Sequence, residues 1–143
     1  MGVFDIFKIS ASGMKAQRTR MDTIASNLAN VQTTKTDEGG PYRKKEVVFK
    51  TVDVSDDKGF RGALSKQVDG VHVDGVRESD KPFQQVYNPG HPDADEKGYV
   101  TYPNVNMMEE MTDMTAAARA YEANVNVLST TKDMFIKTLE LIK

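Results

Sequence analysis

The most regular feature of the sequence is a row of apolar residues in its last third. From residue 107 onward these positions are separated alternately by four and three residues. Such spacing places the side chains on one face of a helix and is typical of helices that pack lengthwise against other helices. The row consists of Met107, Met111, Met114, Ala118, Tyr121, Val125, Leu128, Phe135, Leu139 and Ile142. Lys132 is the one charged residue that interrupts it.

Local signals mark the start of this helix. Pro103 ends the preceding segment, Asn106 can cap the helix, and Glu109 stands three residues later as in a capping box. A helix of about 38 residues would be about 57 Å long, which exceeds the width of a small domain. The sequence therefore predicts a long C-terminal helix that packs along other helices.

A weaker version of the pattern occupies the N-terminus. Its members are Phe7, Met14, Met21, Ile24, Leu28 and Val31. The intermediate positions are apolar only in the second half, because Ser10 and Gln17 occupy them in the first. Small residues at 11–13 and 16 allow close approach of a neighbouring backbone. We expect a second helix that fades near residues 32–34.

The residues between the helices have the composition of strands. Runs at 42–54, 71–74, 83–87 and 99–102 are rich in Val, Thr, Tyr and Phe or alternate in polarity. Hairpin turns or bulges are expected at four glycines: Gly59, Gly62, Gly70 and Gly75. We predict an α+β fold with an N-terminal axial helix at 1–34, a β-rich middle at 35–103 and a C-terminal axial helix at 104–143. Such a middle is too small to cover two long apolar rows.

Charge and composition exclude several classes of function. The net charge of −2 argues against a nucleic-acid partner, because a duplex-binding face needs a basic footprint. The chain has no cysteine and therefore no thiolate nucleophile or disulfide framework. We expect neither a cleavable signal peptide nor a transmembrane span, because no apolar run is long enough. Residues 1–31 carry four basic and two acidic groups and residues 104–143 four and six, so the terminal helices are complementary in charge.

One short stretch could hold a metal ion or a catalytic site. The string GHPDAD places His91, Asp93 and Asp95 close together, and imidazole and carboxylates are good ligands for a divalent ion. The prolines and glycine around them are equally typical of a rigid turn. His72, the only other histidine, lies in a strand-like run without further ligands. We favour the turn and keep the metal-binding module as the alternative.

Several strings resemble a known family. Residues 10–18 (SASGMKAQR) and 26–31 (SNLANV) resemble the N-terminal signature of the flagellar axial rod and hook proteins. Residues 87–95 (YNPGHPDAD), 102–106 (YPNVN), 107–111 and 118–124 are similar to the proximal-rod branch of that family. The family motif falls on Asn27, Ala29, Asn30, Pro89, Gly90, His91, Pro92 and Asp93.

The resemblance implies a structural subunit of the basal-body rod that assembles helically, transmits torque and encloses the export channel. It implies no catalytic, cofactor or metal site, and it makes GHPDAD a turn that orients the β-rich middle relative to the C-terminal helix. Implied partners are further copies of the chain, rod proteins of the FlgB, FlgF and FlgG types, the FliE adapter and the type III export apparatus. The implied location is the periplasmic rod, reached without a cleaved signal. A sister rod subunit is the nearest alternative.

Overall fold

The computed structural model describes residues 3–37, 39–53 and 69–141. Two long helices enclose four strands in chain order. The helices are α1 (Val3–Ala29) and α2 (Met107–Glu140), and the strands are β1 (Lys45–Asp53), β2 (Asp69–Glu78), β3 (Gln84–Tyr87) and β4 (Tyr99–Tyr102). The predicted α+β architecture is confirmed. Among the described residues, no helix is long and apolar enough to span a bilayer.

The two helices run antiparallel along each other. Asn27 near the end of α1 meets Glu110 in the first turn of α2, and Gly13 lies against Asn124 farther along. Besides α2, α1 also packs on β1 and β2. Because α1 contacts both α2 and the strands, most of the buried residues in the helices belong to α1. They are Ser10, Ala16, Ile24 and Asn27.

The helices approach closely where α1 carries its small residues. A Cβ atom added to Gly13 would lie 3.1 Å from both polar atoms of the Asn124 side chain. That separation is shorter than ordinary van der Waals contact, so only glycine fits without displacing Asn124. The expectation that residues 11–16 permit close approach is confirmed at this position.

The start of α2 is capped as the sequence predicts. The Asn106 side chain accepts hydrogen bonds from the backbone N–H groups of Met108, at 3.0 Å, and Glu109, at 3.4 Å. These bonds satisfy two of the donors that a helix N-terminus leaves free. The reciprocal half of the predicted capping box is not formed, because the Glu109 carboxylate lies 3.9 Å from the Lys81 ammonium rather than on the Asn106 N–H.

Strands β1 and β2 form an antiparallel ribbon that lies along α1. Val48 pairs with Gly75 and Phe49 pairs with Val73, so Asp74 is the extra residue of a β-bulge. The predicted irregularity at Gly75 is therefore confirmed. The same expectation is wrong for Gly70, which pairs with Val52 inside β2. Gly59 and Gly62 lie outside the described residues.

The second sheet is the β3–β4 hairpin. Val100 in β4 is fully buried, and the buried segment Pro103–Val105 follows directly and leads into α2. The four strand-like runs all lie in or overlap strands, but β1 begins at Lys45 rather than Tyr42. The reason is that Tyr42 N–H donates to Thr33 O and Lys44 N–H donates to the Asn104 side chain, so neither is free to pair in the ribbon.

Candidate assembly surface

The apolar row of α2 divides into two faces. Met114, Tyr121 and Leu128 are half-buried on the side that also carries Ala117 and Asn124 and faces α1. The remaining members of this part of the row turn away from α1 to one flank of α2. We call that flank the outer stripe; it consists of Met107, Met111, Ala118 and Val125. Met107, Met111 and Val125 are exposed by 40 to 53%, whereas Ala118 is half-buried.

The last turns of α2 extend past the start of α1. Gly13 is level with Asn124, so in an antiparallel pair Val3, ten residues earlier, is level with Met134, ten residues later. The residues from 134 onward form what we call the free end. Its exposed apolar residues are Met134, Phe135, Ile136, Leu139 and Leu141, between 40 and 88% accessible. Ile142 lies outside the described residues, and Lys132 is exposed beside the free end.

The apolar row of the N-terminal helix is used mostly within the subunit. Ile24 is buried and the other predicted members are half-buried. These are Phe7, Met14, Met21 and Leu28 in α1 and Val31 in the turn after it. The surface available to a neighbour is therefore concentrated on α2.

A buried polar cluster joins the helix pair to the ribbon. Asn27 Nδ2 donates to Lys45 O and to Glu110 Oε2, both at 2.9 Å. Asn27 Oδ1 accepts from Lys45 N–H at 2.9 Å and from the Tyr42 hydroxyl at 3.0 Å. The amide thus makes four hydrogen bonds although only 1% of the residue is exposed. We call Asn27, Tyr42, Lys44, Asn104 and Glu110 the polar joint.

Glu110 and Lys44 supply the charges of the polar joint. The Glu110 side chain is 1% exposed, and its Oε1 is in direct contact with Lys44 Nζ. Partial burial would lower the pKa of Lys44, but the hydrogen bond to Glu110 and the charge of that carboxylate outweigh it, with smaller contributions from Glu46 and Glu109. The net pKa of Lys44 therefore lies above its ordinary value of 10.5, and the Lys44 ammonium stays protonated at neutral pH.

This raised pKa predicts how stability depends on alkaline pH. Because Lys44 binds its proton more tightly when folded, its contribution is complete below the unfolded pKa and is lost as pH rises through the folded pKa. The difference in unfolding free energy between wild type and Lys44→Met should be constant from about pH 7 to about pH 9 and should fall above the ordinary pKa. Urea unfolding followed by circular dichroism measures it. A difference that already declines near neutral pH would contradict the assignment.

Asn104 holds the ribbon from the other helix. Its Oδ1 accepts the Lys44 N–H at 2.7 Å, and its Nδ2 donates to Lys81 O at 2.8 Å. Asn104 is buried and lies directly before α2. The polar joint therefore ties the end of α1, the beginning of β1 and the beginning of α2 to one point.

The GHPDAD string forms a turn between β3 and β4. Asp93 N–H donates to His91 Nδ1 at 3.1 Å, and Asp93 Oδ2 accepts from the Thr34 hydroxyl at 2.7 Å. Asp95 Oδ1 accepts from the backbone N–H groups of Lys97 and Tyr99. The two carboxylates thus accept hydrogen bonds from different partners. The bond from Thr34 to Asp93 connects the turn to the segment after α1. The described residues contain no group of three His, Cys, Asp or Glu side chains arranged to hold a metal ion.

Gly98 closes this turn in a conformation that favours glycine. Its φ is +81°, and an added Cβ would lie 2.9 Å from Cε2 of Tyr87. We expect Gly98→Ala to lower the free energy of unfolding by about 2 kcal/mol, because left-handed backbone and steric overlap both oppose alanine. Gly90→Ala in the same turn is the control, since its added Cβ would meet nothing closer than 3.8 Å. Equal melting temperatures for the two variants would refute this explanation.

The polar joint was not predicted from the sequence. Asn27 was expected only as part of the family motif, and no partner was predicted for it or for Glu110. One signal was present: Glu110 lies four residues before Met114 and seven before Ala117, in phase with the face that packs on α1. An acidic residue on a buried face requires a partner, which points to a buried cation. The other family residues lie at the surface, with Ala29 exposed and Asn30 Nδ2 donating to Ser26 O.

Comparison with known proteins identifies the family. The family described as "Flagella basal body rod protein" matches residues 7–35, and "Flagellar basal body rod FlgEFG protein C-terminal" matches residues 96–141. Flagellar basal-body rod protein FlgC of Borreliella burgdorferi is 39% identical over 100% of this chain and 99% of its own length. The proteins of the same name from Escherichia coli O6:H1, at 43% identity over 99% and 98%, and Bacillus subtilis, at 40% over the full length of both, are similarly close. The chain therefore belongs to the FlgC family of flagellar basal-body rod proteins, and it is a structural subunit of the rod.

Proposed function

We propose that the chain assembles helically through the outer stripe and the free end of α2 to build the rod as a drive shaft around the export channel. The observation that carries this is the exposed apolar surface of α2. One side of α2 is covered by α1, while Met107, Met111 and Val125 on the flank and five apolar residues of the free end are open. An exposed apolar surface of this extent marks an interaction site.

The shape of the subunit suits torque transmission. With 34 residues, α2 is about 51 Å long, and it is paired lengthwise with α1 over most of that length. Parallel bundles of such helix pairs would resist twisting, because side chains packed along the full length must move together. The β3–β4 hairpin lies at the end where the polar joint is located. The ribbon starts at the same end and runs along α1, where Val71 N–H also donates to Ser12 Oγ.

We assign the neighbours, the delivery route and the location of the subunit from its family and from its exposed apolar surfaces. We assign further copies of the chain, rod proteins of the FlgB, FlgF and FlgG types and the FliE adapter as neighbours in the assembly, and the type III export apparatus as the route of delivery. The rod would lie in the periplasm and its subunits would arrive without a cleaved signal. The function is architectural rather than enzymatic, and the polar joint acts as a structural connection.

Charge placed on the outer stripe tests the assignment. We expect Met111→Glu combined with Val125→Glu to abolish rod formation, because each glutamate would place a charge in an interface that excludes water. Thr112→Glu combined with Asn126→Glu is the matched control, since both positions are exposed and each lies one residue farther along α2. Swimming and the number of rods in isolated basal bodies are measured in a strain that lacks its own copy of the gene. Normal swimming with the first pair would exclude the outer stripe as an interface.

A further inference from the structure

We infer that Asn27 and Asn104 are positioning residues that set the angle between the β1–β2 ribbon and the helix pair, and thereby determine which surfaces the subunit presents to its neighbours. The inference rests on the proposed function for its biological consequence. The geometry itself can be tested without any assembly. None of the side-chain hydrogen bonds of either residue involves the outer stripe or the free end, so their effect on assembly would act through orientation.

The Asn27 side chain substitutes for a neighbouring strand. Its amide donates to the C=O and accepts from the N–H of the same residue, Lys45, with both bonds at 2.9 Å. Two residues in adjacent antiparallel strands exchange the same pair of bonds. The first residue of the ribbon is therefore fixed in direction as well as in place, and the element that fixes it is the last turn of α1.

Asn104, three residues before α2, fixes the adjacent peptide group at Lys44. The Lys44 N–H donates to Asn104 Oδ1 at 2.7 Å, and Asn104 is followed after one residue by the Asn106 cap of α2. Consecutive residues at the base of the ribbon are thus held by side chains that belong to the two helix ends. Because Lys44 and Lys45 are held from two sides, the ribbon cannot pivot about its base without breaking buried hydrogen bonds, which is costly.

The chemistry and the length of the side chain at position 27 both matter. Leucine offers no hydrogen bonds, and aspartate lacks the two donors that serve Lys45 O and Glu110. Glutamine keeps the same donors and acceptor but carries them about 1.5 Å farther from the backbone. Asn27→Gln therefore separates hydrogen-bonding capacity from position.

A distance measurement tests the orientation directly. The natural chain has no cysteine, so Thr112→Cys on α2 and Arg77→Cys in β2, both exposed, can carry a pair of spin labels at unique sites. Electron–electron resonance on the full chain should show a shifted or broader distance distribution when Asn27→Gln is added. Ile24→Val, a change of similar burial in α1 away from the amide, should leave the distribution as it is. An unchanged distribution with Asn27→Gln would overturn the inference.

The consequence for assembly is measured at equal folded fraction. The number of rods in complemented cells is plotted against the folded fraction of each purified variant. Two variants that only lose stability, Ile24→Val and Val100→Ala, define the relation expected from lost stability alone, which we call the control line. We expect Asn27→Gln to give about tenfold fewer rods than a control of equal folded fraction, because a displaced ribbon weakens the fit between subunits; tenfold corresponds to about 1.4 kcal/mol of association free energy. A value on the control line would overturn the positioning role in assembly. If the wild-type gene failed to restore rods, the proposed function would be wrong, whereas the distance measurement would still decide the geometry.

A second variant covers the case in which Asn27→Gln folds poorly. In Asn27→Asp combined with Glu110→Gln, the hydrogen bond between positions 27 and 110 is reversed, while Lys45 O loses its donor. Glu110→Gln removes the repulsion between the two adjacent carboxylates that Asn27→Asp creates, although Lys44 loses its Glu110 partner. We expect the pair to be more stable than Asn27→Asp alone, yet to remain below the control line for rods. Recovery of stability and of rod number together along that line would overturn the inference.

Discussion

Removal of residues 132–143 is expected to abolish rod assembly while the subunit keeps its fold. The deletion removes the free end, whose apolar side chains are 40 to 88% exposed and lie past the start of α1. Their loss removes little packing inside the subunit. In an assembly, however, each of these side chains would contribute about 1.5 to 3 kcal/mol when fully buried, so losing several of them exceeds the stability of most interfaces.

The measurement combines assembly with folding. Basal bodies from cells that express the truncated chain should lack complete rods, and the cells should not swim. The purified truncated chain should unfold cooperatively, with a melting temperature within a few degrees of that of the full chain. A full-length control, Ser129→Glu combined with Thr130→Glu, alters exposed polar positions just before the deletion and should assemble normally. Swimming cells that carry only the truncated chain would eliminate the free end as an assembly surface.

Glu110→Ala should be the most destabilising single substitution in the polar joint. It leaves Lys44 Nζ without its carboxylate partner in a largely buried site and removes the acceptor of Asn27 Nδ2. Breaking a buried pair from one side typically costs about 3 to 5 kcal/mol. Chemical denaturation of the purified chain measures this loss, and we expect the helix pair and the ribbon to unfold at lower denaturant.

Two further variants separate the buried charge from side-chain truncation. Glu109→Ala, at an exposed neighbouring position whose carboxylate lies 3.9 Å from Lys81, should change stability by less than about 1 kcal/mol. Glu110→Leu combined with Lys44→Met removes both charges and should be more stable than Glu110→Ala, because no unpaired ammonium stays buried. A double variant as unstable as Glu110→Ala would show that the ion pair is not the source of the loss.

Local signals were sufficient to predict most of the secondary structure. The four–three spacing predicted α2, and Asn106 predicted where α2 begins. Runs rich in β-branched residues predicted the positions of the strands. Periodicity could not decide which members of the α2 row face α1. Residues on the two flanks of such a row repeat with the same spacing. The sequence therefore could not show that Met114 faces α1 whereas Met111 faces away from it.

The polar joint could not be predicted because its bonds join residues that are far apart in the sequence. Asn27 and Glu110 are 83 residues apart, and Asn104 and Lys44 are 60 apart. Each residue alone is also common in an unrelated role: asparagine in turns, and glutamate in the first turn of a helix. Only the antiparallel pairing of the helices brings the four into contact. The sequence did indicate that Asn27 matters, through the family motif, but it did not indicate which atoms Asn27 binds.

The pairing of the first helix with the last has a consequence for when the subunit can fold. Gly13 and Asn124 are in contact although 111 residues separate them, so the central helix of the fold acquires one of its two neighbours only when the end of the chain arrives. Native contacts between distant residues require closure of a long loop before they stabilise anything, which slows folding. A chain that leaves a narrow passage with its N-terminus first would therefore stay without its native helix pair until nearly all of it had emerged. Placement of the earliest and latest segments side by side would thus delay folding until the chain had left such a passage.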